Sequence, residues 1–233
     1  MRNIAIKKIG EAGQERLCKA RVLVCGCGGL GSGVILNLAA AGIGAIGLID
    51  SDVLEVSNLN RQFIHNTEDI GKLKVLSAKE RIQKLNPEVT VETFALRLNE
   101  NNYQDIVKEY DIIIDCFDSY KSKFLLNEIS VKTNKPLIHG GVSEFCGQVT
   151  VIIPHKTPCL RCIFPEPDLE AKIPEGNLSP VVNLIASIEA LEAIKMILGI
   201  QSPLQGHLLT IDALNLTFKS LKINSSRQCV LCS

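Results

Sequence analysis

The hydrophobic positions of this chain follow two patterns, short apolar runs and longer stretches with apolar residues at helical spacing. The runs predict strands at residues 22–25, 89–94 and 110–116 and in a segment that ends at Asp50. The helical patterns fill the intervals at residues 71–85 and 122–132 and in a Leu- and Ala-rich stretch that ends near Ala41. Strand and helix therefore alternate through the first half of the chain, which predicts a parallel sheet.

The second half of the chain is richer in strand patterns. Residues 136–139, 148–153, 207–211 and 214–218 predict strands around one long apolar helix at residues 178–200. We expect a chain break at Gly140-Gly141 and an irregular crossover at residues 154–177. The pattern predicts a single α/β domain over residues 1–233, with a Rossmann-like, mainly parallel sheet extended by antiparallel strands.

Residues 21–50 are the first segment that indicates a function. A strand leads into a glycine-rich turn, Gly26-Cys27-Gly28-Gly29-Leu30-Gly31, and a helix and a second strand ending at Asp50 follow. This order is typical of a nucleotide-binding βαβ unit, in which glycines let the backbone approach phosphates and the helix start offers free N–H groups. Asp50 can accept hydrogen bonds from a ribose. The alternative interpretation is a tight structural turn between packed elements.

The composition excludes several classes of protein. Of the 233 residues, 46% are hydrophobic and 21% charged, which supplies a core and argues against disorder. The formal net charge is zero, so nothing indicates a binder of nucleic acid or of membrane surfaces. The N-terminal segment is too polar for a signal peptide, and no apolar run is long enough to span a bilayer. We therefore expect a cytoplasmic protein with no nucleic-acid or membrane partner.

The nine cysteines of such a protein are expected to be reduced, metal-bound or buried rather than paired in disulfides. Four of them form two Cys-x-x-Cys doublets, Cys159 with Cys162 and Cys229 with Cys232. Two doublets supply the four thiolates of a tetrahedral structural zinc site, whereas a lone doublet can also be a redox motif. The other five are expected to fill the core as small apolar side chains: Cys18, Cys25, Cys27, Cys116 and Cys146.

A set of polar residues follows the glycine turn. Arg61 lies in the loop of residues 51–67, Lys74 lies near a helix start, and Asp118 follows a buried strand. Lys74 is poorly placed for the helix dipole, which suggests that it is aimed at phosphate. Each residue alone can be interpreted as a solvated surface charge. Together with the glycine turn they favour a triphosphate, with magnesium at Asp118, over a nicotinamide dinucleotide.

These residues are expected to meet in one crevice. Ligands of open α/β sheets bind at the carboxyl ends of the strands, where several polar residues of this chain fall. The predicted lining consists of Gly26–Gly31, Asp50, Asp115, Asp118 and the Gly140-Gly141 pair. Asp115 can alternatively cap the helix that follows it.

Eleven segments match, in order, the motifs of one family. They are RNI at Arg2, IGE at Ile9, GCGGLG, the acids Asp50 and Asp52, SNLNRQF, GKLK, DCFD, GQVT, PCLRCIFPEP, SPVVNLIASIEALEAIK and the final CVLC. In these segments the chain resembles, from Arg2 to Cys232, the adenylating enzymes related to ubiquitin-activating enzyme, the ThiF/MoeB/HesA group. Members of that group bind ATP and magnesium and adenylate the C-terminal Gly-Gly carboxylate of a ubiquitin-like protein. In bacteria these partners are sulfur carriers for thiamine or molybdopterin synthesis.

The resemblance implies a role for each polar residue. Asp50 would hold the ribose, Arg61 and Lys74 the phosphates, and Asp118 the magnesium. The remaining residues that would bind the nucleotide are Gly26, Gly28, Gly29, Leu30, Gly31, Asp52, Asn58 and Gln62. A C-terminal carboxylate is ionised at neutral pH, so the expected reaction needs no general base.

The resemblance also implies a homodimer. The family's arginine that matches Arg2 reaches across a two-fold interface to the phosphates in the partner subunit. The apolar helix at residues 178–200 has more apolar surface than one sheet face needs to cover, which favours an interface there.

The chain departs from the family pattern at three positions. Ser119 stands where the family has an asparagine, and Lys123 stands where it has an arginine. Lys172 stands where many relatives carry a reactive crossover cysteine, and no cysteine lies between Cys162 and Cys229. The enzyme is therefore expected to stop at the acyl-adenylate or to pass it to an external sulfur donor.

Three alternatives remain open. The same fold can adenylate another carboxylate, on a ribosomal peptide or a modified tRNA, although the neutral net charge disfavours tRNA. The chain can instead be a non-catalytic nucleotide-binding partner, but Arg61, Lys74 and Asp118 are all present. A dehydrogenase explains neither Arg61 nor the cysteine doublets.

Overall fold

A computed structural model describes residues 2–165, 167–171, 176–226 and 229–232. Its eight strands are β1 (Arg21–Cys25), β2 (Ala45–Ile49), β3 (Thr90–Phe94), β4 (Ile112–Asp115), β5 (Leu137–Ser143), β6 (Cys146–Ile152), β7 (His207–Asp212) and β8 (Thr217–Lys222). They form one sheet in the order β3-β2-β1-β4-β5-β6-β7-β8. Neighbours from β3 to β5 are parallel, and β6, β7 and β8 are antiparallel additions. The predicted mainly parallel sheet with antiparallel extensions is confirmed.

The helices connect and cover this sheet. In the described residues the α-helices are α1 (Gly10–Lys19), α2 (Gly29–Ala41), α3 (Lys74–Leu85), α4 (Tyr103–Val107), α5 (Tyr120–Thr133), α6 (Leu160–Ile163) and α7 (Ser179–Ile197). Short 3-10 helices occupy Arg2–Ala5, Val56–Asn58 and Thr67–Asp69. The short helix α4 was not predicted because five residues are too few to show a helical period.

The parallel strands separate two hydrophobic cores. Successive side chains of a strand point to opposite faces, so Val22 and Val24 of β1 pack with α2, α3 and α7, while Leu23 and Cys25 pack with α4 and α5. Burial on both faces explains why these strands were recognisable as continuous apolar runs. The carboxyl ends of β1, β2 and β4 therefore open at one edge between the two cores.

The Gly140-Gly141 pair does not break the chain, as the sequence had suggested. β5 continues through both glycines to Ser143 and pairs with β6 in an antiparallel hairpin. A Cβ atom at Gly140 would collide with the carboxyl group of Glu189 on α7. The glycine is needed because a helix side chain approaches the strand closely, and not because the chain turns there.

The position of the last strand was also predicted wrongly. Residues 213–216 form the turn between β7 and β8, and Leu216 has a positive φ of 51°. Leu214 and Leu216 are 68% and 77% exposed, so their alternating apolar pattern does not mark a buried strand face. The prediction assumed that alternating apolar residues are buried, which fails in this turn.

None of the helices in the described residues combines the length and the apolar character that crossing a membrane requires.

Candidate functional site

The glycine turn connects β1 to α2 with close backbone packing. A Cβ atom at Gly31 would collide with the carbonyl oxygen of Gly26, so only glycine allows α2 to start this close to the turn. The hydroxyl and the N–H of Ser32 both donate to the carbonyl oxygen of Gly28. The N–H groups of residues 28–31 have no hydrogen-bond acceptor in the described part of the chain. The start of α2 is therefore available to an anion.

Asp50 lies at the end of β2, beside this turn. Its two carboxylate oxygens accept the N–H groups of Cys27 and Asp52, each at 2.8 Å. Burial raises the pKa of Asp50, and these two backbone donors oppose the rise. Each carboxylate oxygen keeps a lone pair for another donor, such as a hydroxyl group.

A cavity of about 1440 Å³ opens at the carboxyl ends of the parallel strands. Most of the predicted site residues line it: Gly26, Gly28, Gly29, Leu30, Asp50, Asp52, Arg61, Gln62, Lys74, Asp118 and Gly141. Five residues of the predicted crevice and nucleotide site are not part of its lining: Cys27, Gly31, Asn58, Asp115 and Gly140. Pockets for one small ligand measure about 300–1,000 Å³, so this cavity has room for more than one.

Lys74, the first residue of α3, lines the cavity. It is 7% exposed, and its Nζ lies 2.9 Å from Oδ2 of Asp52, whose side chain is about half exposed. A buried ammonium paired with only one exposed carboxylate keeps two of its three donors for other acceptors. Lys74 can therefore bind an anion in the cavity without losing Asp52.

Arg61 lines the cavity from the segment between β2 and α3. Its Nη1 donates to the side-chain oxygen of Asn60 at 2.8 Å, and it forms no ion pair in the described residues. Gln62 is buried, and its Oε1 has no hydrogen-bond donor among the residues that the structure describes. Asn58 serves the local turn instead, since its Oδ1 accepts the N–H of Glu55 at 3.2 Å.

Asp118 is exposed on the cavity wall after β4, and it has no hydrogen bond or ion pair in the described part of the chain. Ser119, the next residue, caps α5 by accepting the N–H of Ser122 at 3.3 Å. The departure at Ser119 therefore preserves the helix start, and Asp115 does not act as the cap.

Asp115 lies beneath the cavity in a buried polar cluster that the sequence did not predict. Its carboxylate lies 2.7 Å from Nδ1 of His139 and 3.4 Å from Nζ of Lys123. Lys123 also donates to the carbonyl oxygen of Gly140 at 2.7 Å. Burial alone would raise the pKa of Asp115, but Lys123 and the His139 hydrogen bond hold it below its usual value. The lysine at the family's arginine position thus has partners within the chain.

Several cavity residues were missed from the sequence. Arg97 follows β3, and the rule that polar residues at strand ends line the site could have identified it. A second group lies on the antiparallel strands: Gly147, Gln148, Thr210, Ile211 and Asp212. No local pattern could find these residues, because only strand pairing brings β6 and β7 beside β5. Cys146, at the start of β6, was expected beside the crevice and lines the cavity.

The two cysteine doublets lie together in one cluster, as predicted. The Sγ atoms of all four residues lie within 4.8 Å of one another. The shorter separations are 3.7 Å for Cys159–Cys229 and 3.5 Å for both Cys162–Cys232 and Cys229–Cys232. Zn–S bonds of about 2.3 Å place tetrahedral sulfurs about 3.8 Å apart, so the donor set and its spacing fit a zinc ion.

The prediction that the other cysteines fill the core holds for three of five. Cys25, Cys27 and Cys116 are buried, and burial raises the pKa of each thiol. Cys18 and Cys146 are exposed, which the prediction missed because α1 and the β5–β6 hairpin each leave one side open to solvent.

Arg2 lies in the first 3-10 helix and is exposed. It does not belong to the lining of the cavity of its own chain. Lys172 lies outside the described residues.

Comparison with known proteins extends over nearly the whole chain. The profile of the ThiF family matches residues 1–231. A sulfur carrier protein adenylyltransferase of Thermus thermophilus is 40% identical over 241 residues, which cover 99% of this chain and 89% of that protein. A SAMP-activating enzyme E1 of Haloferax volcanii is 37% identical over 235 residues, which cover 99% and 87%.

Solved structures also resemble this fold. The crystal structure of Escherichia coli MccB with ATP superposes with a TM-score of 0.84 at 31% identity. The match covers 95% of this chain and 68% of MccB.

Proposed function

The chain belongs to the ThiF family, and from that premise we propose that it uses ATP to adenylate the C-terminal Gly-Gly carboxylate of a ubiquitin-like sulfur-carrier protein. Residues 1–233 would act as one adenylation domain. The observation that carries the proposal is the cavity, where the open start of α2, two cations and a free carboxylate converge beside exposed strand residues. The relative from Thermus thermophilus bears the name of this activity.

The charges of the cavity suit attack of a carboxylate on the α-phosphorus of ATP. The attacking carboxylate is already ionised at neutral pH, so alignment and charge neutralisation are the tasks left to the protein. Arg61 and Lys74 keep donors for the phosphate oxygens, and Asp50 keeps lone pairs for the ribose hydroxyls. The N–H groups of residues 28–31 would donate hydrogen bonds to phosphate oxygens of the nucleotide.

Magnesium fits this site through Asp118. Its exposed carboxylate, which has no partner among the described residues, would supply the kind of oxygen donor that Mg²⁺ prefers, beside phosphate oxygens and water. Magnesium would neutralise charge on the departing pyrophosphate.

The size of the cavity favours a second substrate with an extended tail. The part lined by Gln148, Thr210 and Asp212 lies beyond the nucleotide residues, along the face of β6 and β7. A flexible Gly-Gly tail has no side chains to hinder its approach along this face to the α-phosphate.

Carrier-dependent exchange of labelled pyrophosphate into ATP tests the function. We expect exchange with a carrier that ends in Gly-Gly and none with the same carrier after removal of the last glycine. Carriers of the thiamine and molybdopterin types should be compared, since either pathway fits. No exchange with any Gly-Gly carrier of the source organism would refute the substrate class.

A ribosomal peptide is the second candidate substrate, because MccB structures that match at 30% identity contain the peptide MccA. The same exchange assay separates the two substrates. Exchange driven by a short peptide carboxylate, without any carrier, would favour the peptide reaction.

We also propose a structural zinc ion at Cys159, Cys162, Cys229 and Cys232. With four thiolates the coordination shell is closed, so the ion would join the C-terminal segment to α6 and take no part in the chemistry. Metal analysis should find about one zinc per chain. Cys229→Ser should release zinc and lower the thermal midpoint, whereas Cys18→Ser, at an exposed cysteine outside the cluster, should do neither.

No covalent carrier–enzyme intermediate is expected at the crossover. The family's cysteine position is Lys172, and the sequence has no cysteine between Cys162 and Cys229. Quenched reactions should contain carrier adenylate but no thioester or persulfide, and an external donor would supply sulfur. Cys146 is the control, because it is exposed and lines the cavity. An adduct that is lost in Cys146→Ser would overturn this proposal.

Arg2 would complete the site of a partner subunit in a homodimer. Arg2→Ala and Asp118→Asn proteins should each be nearly inactive alone. After subunit exchange they should recover about a quarter of wild-type activity, since half of the dimers are mixed and each mixed dimer has one intact site. No recovery despite proven exchange would place Arg2 outside the partner's site.

A further inference from the structure

His65 lies behind the glycine turn and is only 4% exposed. Its Nε2 lies 2.9 Å from the carbonyl oxygen of Cys27, and its Nδ1 lies 2.7 Å from Oγ of Ser77. A carbonyl oxygen can only accept, so Nε2 carries a proton. In the neutral ring Nδ1 then accepts a hydrogen bond from the Ser77 hydroxyl, so that one tautomer makes both contacts hydrogen bonds. The Asp69 carboxylate is the competing acceptor for that hydroxyl.

The surroundings of His65 keep the ring neutral. Burial lowers the pKa of His65, and the Cys27 carbonyl and the charge of Asp69 oppose that shift. The other charged groups that face the ring are Lys74, which lowers the pKa further, and Asp50, which raises it.

The Cys27 residue is held on both sides. Its N–H donates to Asp50 at 2.8 Å, and its carbonyl oxygen accepts from His65. In a planar trans peptide the carbonyl of Cys27 and the N–H of Gly28 point in opposite directions. Because the Cys27 carbonyl points toward His65, the N–H of Gly28 points away from the His65 ring. Gly28 lines the cavity, and in the described part of the chain no acceptor takes this N–H.

The same ring connects the turn to the helix that carries Lys74. Ser77 lies one turn after Lys74 on α3 and is 2% exposed. The path Cys27–His65–Ser77 thus spans from the glycine turn to α3 through two hydrogen bonds. A shift of the ring would change the spacing between the free N–H groups and the ammonium of Lys74.

We propose that His65 is a positioning residue for the nucleotide: as the neutral Nε2–H tautomer it orients the Cys27–Gly28 peptide and sets its distance from α3. This inference rests on the proposed binding of ATP. It assigns His65 a function that involves no contact with substrate and no proton transfer.

Two substitutions distinguish positioning from simple packing. The amide nitrogen of Gln can donate from a place close to that of Nε2, whereas the amide of Asn matches Nδ1 and falls short of Cys27. ATP affinity should therefore change by less than about threefold in His65→Gln and weaken by about tenfold in His65→Asn, the loss of one hydrogen bond. Titration calorimetry with ATP measures both, and thermal unfolding of each variant is the control. Equal ATP affinity in the two folded variants would overturn the proposal.

The tautomer can be tested without substitution. In long-range ¹H–¹⁵N spectra of the wild-type protein near neutral pH, His65 should show a protonated Nε2 and an unprotonated Nδ1. A proton on Nδ1, or an imidazolium, would overturn the proposal even if His65→Asn fails to fold. If wild-type protein does not bind ATP, the proposed function fails, and the spectrum still decides the tautomer.

Discussion

Asp115 and Asp118 lie three residues apart at the end of β4, yet their surroundings differ completely. Asp115 is fully buried and contacts Lys123 and His139. Asp118 is exposed on the cavity wall without a hydrogen-bond partner in the described residues. A buried charge needs a partner within the protein, because taking an ion out of water costs several kcal/mol. Removing one partner of a buried ion pair destabilises the fold by about 3–5 kcal/mol. The charge of Asp118 needs no partner in the chain and remains for a ligand.

The basic residues show the same contrast. Lys123 is buried with two oxygen acceptors from the chain, the Asp115 carboxylate and the Gly140 carbonyl. Lys74 is almost as buried, but in the described part of the chain its one acceptor is the exposed Asp52 in the cavity. Burial alone therefore does not distinguish a charged side chain that stabilises the fold from one that binds a ligand. What distinguishes them is whether their partners lie inside the protein or in the cavity.

The largest effect is expected for Asp118→Asn. Loss of the proposed magnesium ligand should reduce pyrophosphate exchange on the order of a thousandfold, as removal of one transition-state stabilising group does. Its free energy of unfolding should change by no more than about 0.5 kcal/mol, because an exposed side chain without partners is replaced. Exchange assays and urea unfolding measure the two quantities. Wild-type exchange would show that Asp118 does not bind magnesium.

For Asp115→Asn, in contrast, the main expected effect is on the free energy of unfolding. It leaves the buried ammonium of Lys123 without its counter-ion and should lower the free energy of unfolding by about 3 kcal/mol. The pKa of Asp115 is lowered in the folded state, so its stabilisation is present above the usual carboxyl range and is lost as the pH falls. Urea unfolding across that range measures the loss. A variant as stable as the wild type would mean that the buried cluster does not stabilise the fold.

A smaller change in activity is expected for Lys74→Ala. Removing a proposed phosphate contact should lower exchange by about tenfold to a hundredfold, which corresponds to about 1.4–2.8 kcal/mol of transition-state binding. Lys72→Ala is the matched control, since Lys72 lies in the same segment, pairs with Asp69 and Glu80, and does not line the cavity. Equal losses in the two variants would indicate a general effect of loop charge.

The smallest effect on pyrophosphate exchange is expected for Glu189→Gln, because Glu189 does not line the cavity. Its expected effect is on stability and depends on pH. Glu189 is fully buried beside Gly140, and within the described ranges neither carboxyl oxygen has a hydrogen-bond partner. Burial raises the pKa of Glu189 well above the usual value. A raised pKa contributes stability below the unfolded value, and that contribution is lost as the pH rises. Relative to wild type, Glu189→Gln should therefore gain stability as the pH rises from about 5 to about 8.

Thermal or urea unfolding at the two pH values checks this prediction. A stability difference that is the same at both would show that Glu189 is ionised in the folded protein, with a partner that compensates its charge.

Much of the fold and site was recognisable in the sequence for a local reason. The parallel strands are buried on both faces, so β1, β2 and β4 appear as continuous apolar runs. Polar residues directly after such runs must lie at one edge of the sheet, which brought Asp50 and Asp118 into the predicted site. The cysteine doublets are similarly local, because each pair is three residues apart.

Other features depended on contacts between distant segments. Glu189 approaches Gly140 from α7, and His65 joins Cys27 to Ser77, although 38 residues separate Cys27 from His65. Contacts between distant segments produce no periodic pattern of hydrophobic and polar residues in the sequence. Hence the glycine pair was taken for a break, and the buried cluster around Asp115 was not anticipated.

By itself, the sequence determined the βαβ unit, the mainly parallel sheet and the types of residue at the strand ends. These follow from side-chain periodicity and from the backbone freedom of glycine, both of which act over a few residues. Only the tertiary structure decided which charge is buried and which is open, as for Asp115 and Asp118. That outcome depends on which side chains from α5, β5 and α7 fill the space beneath β4, and therefore on packing between residues far apart in the chain.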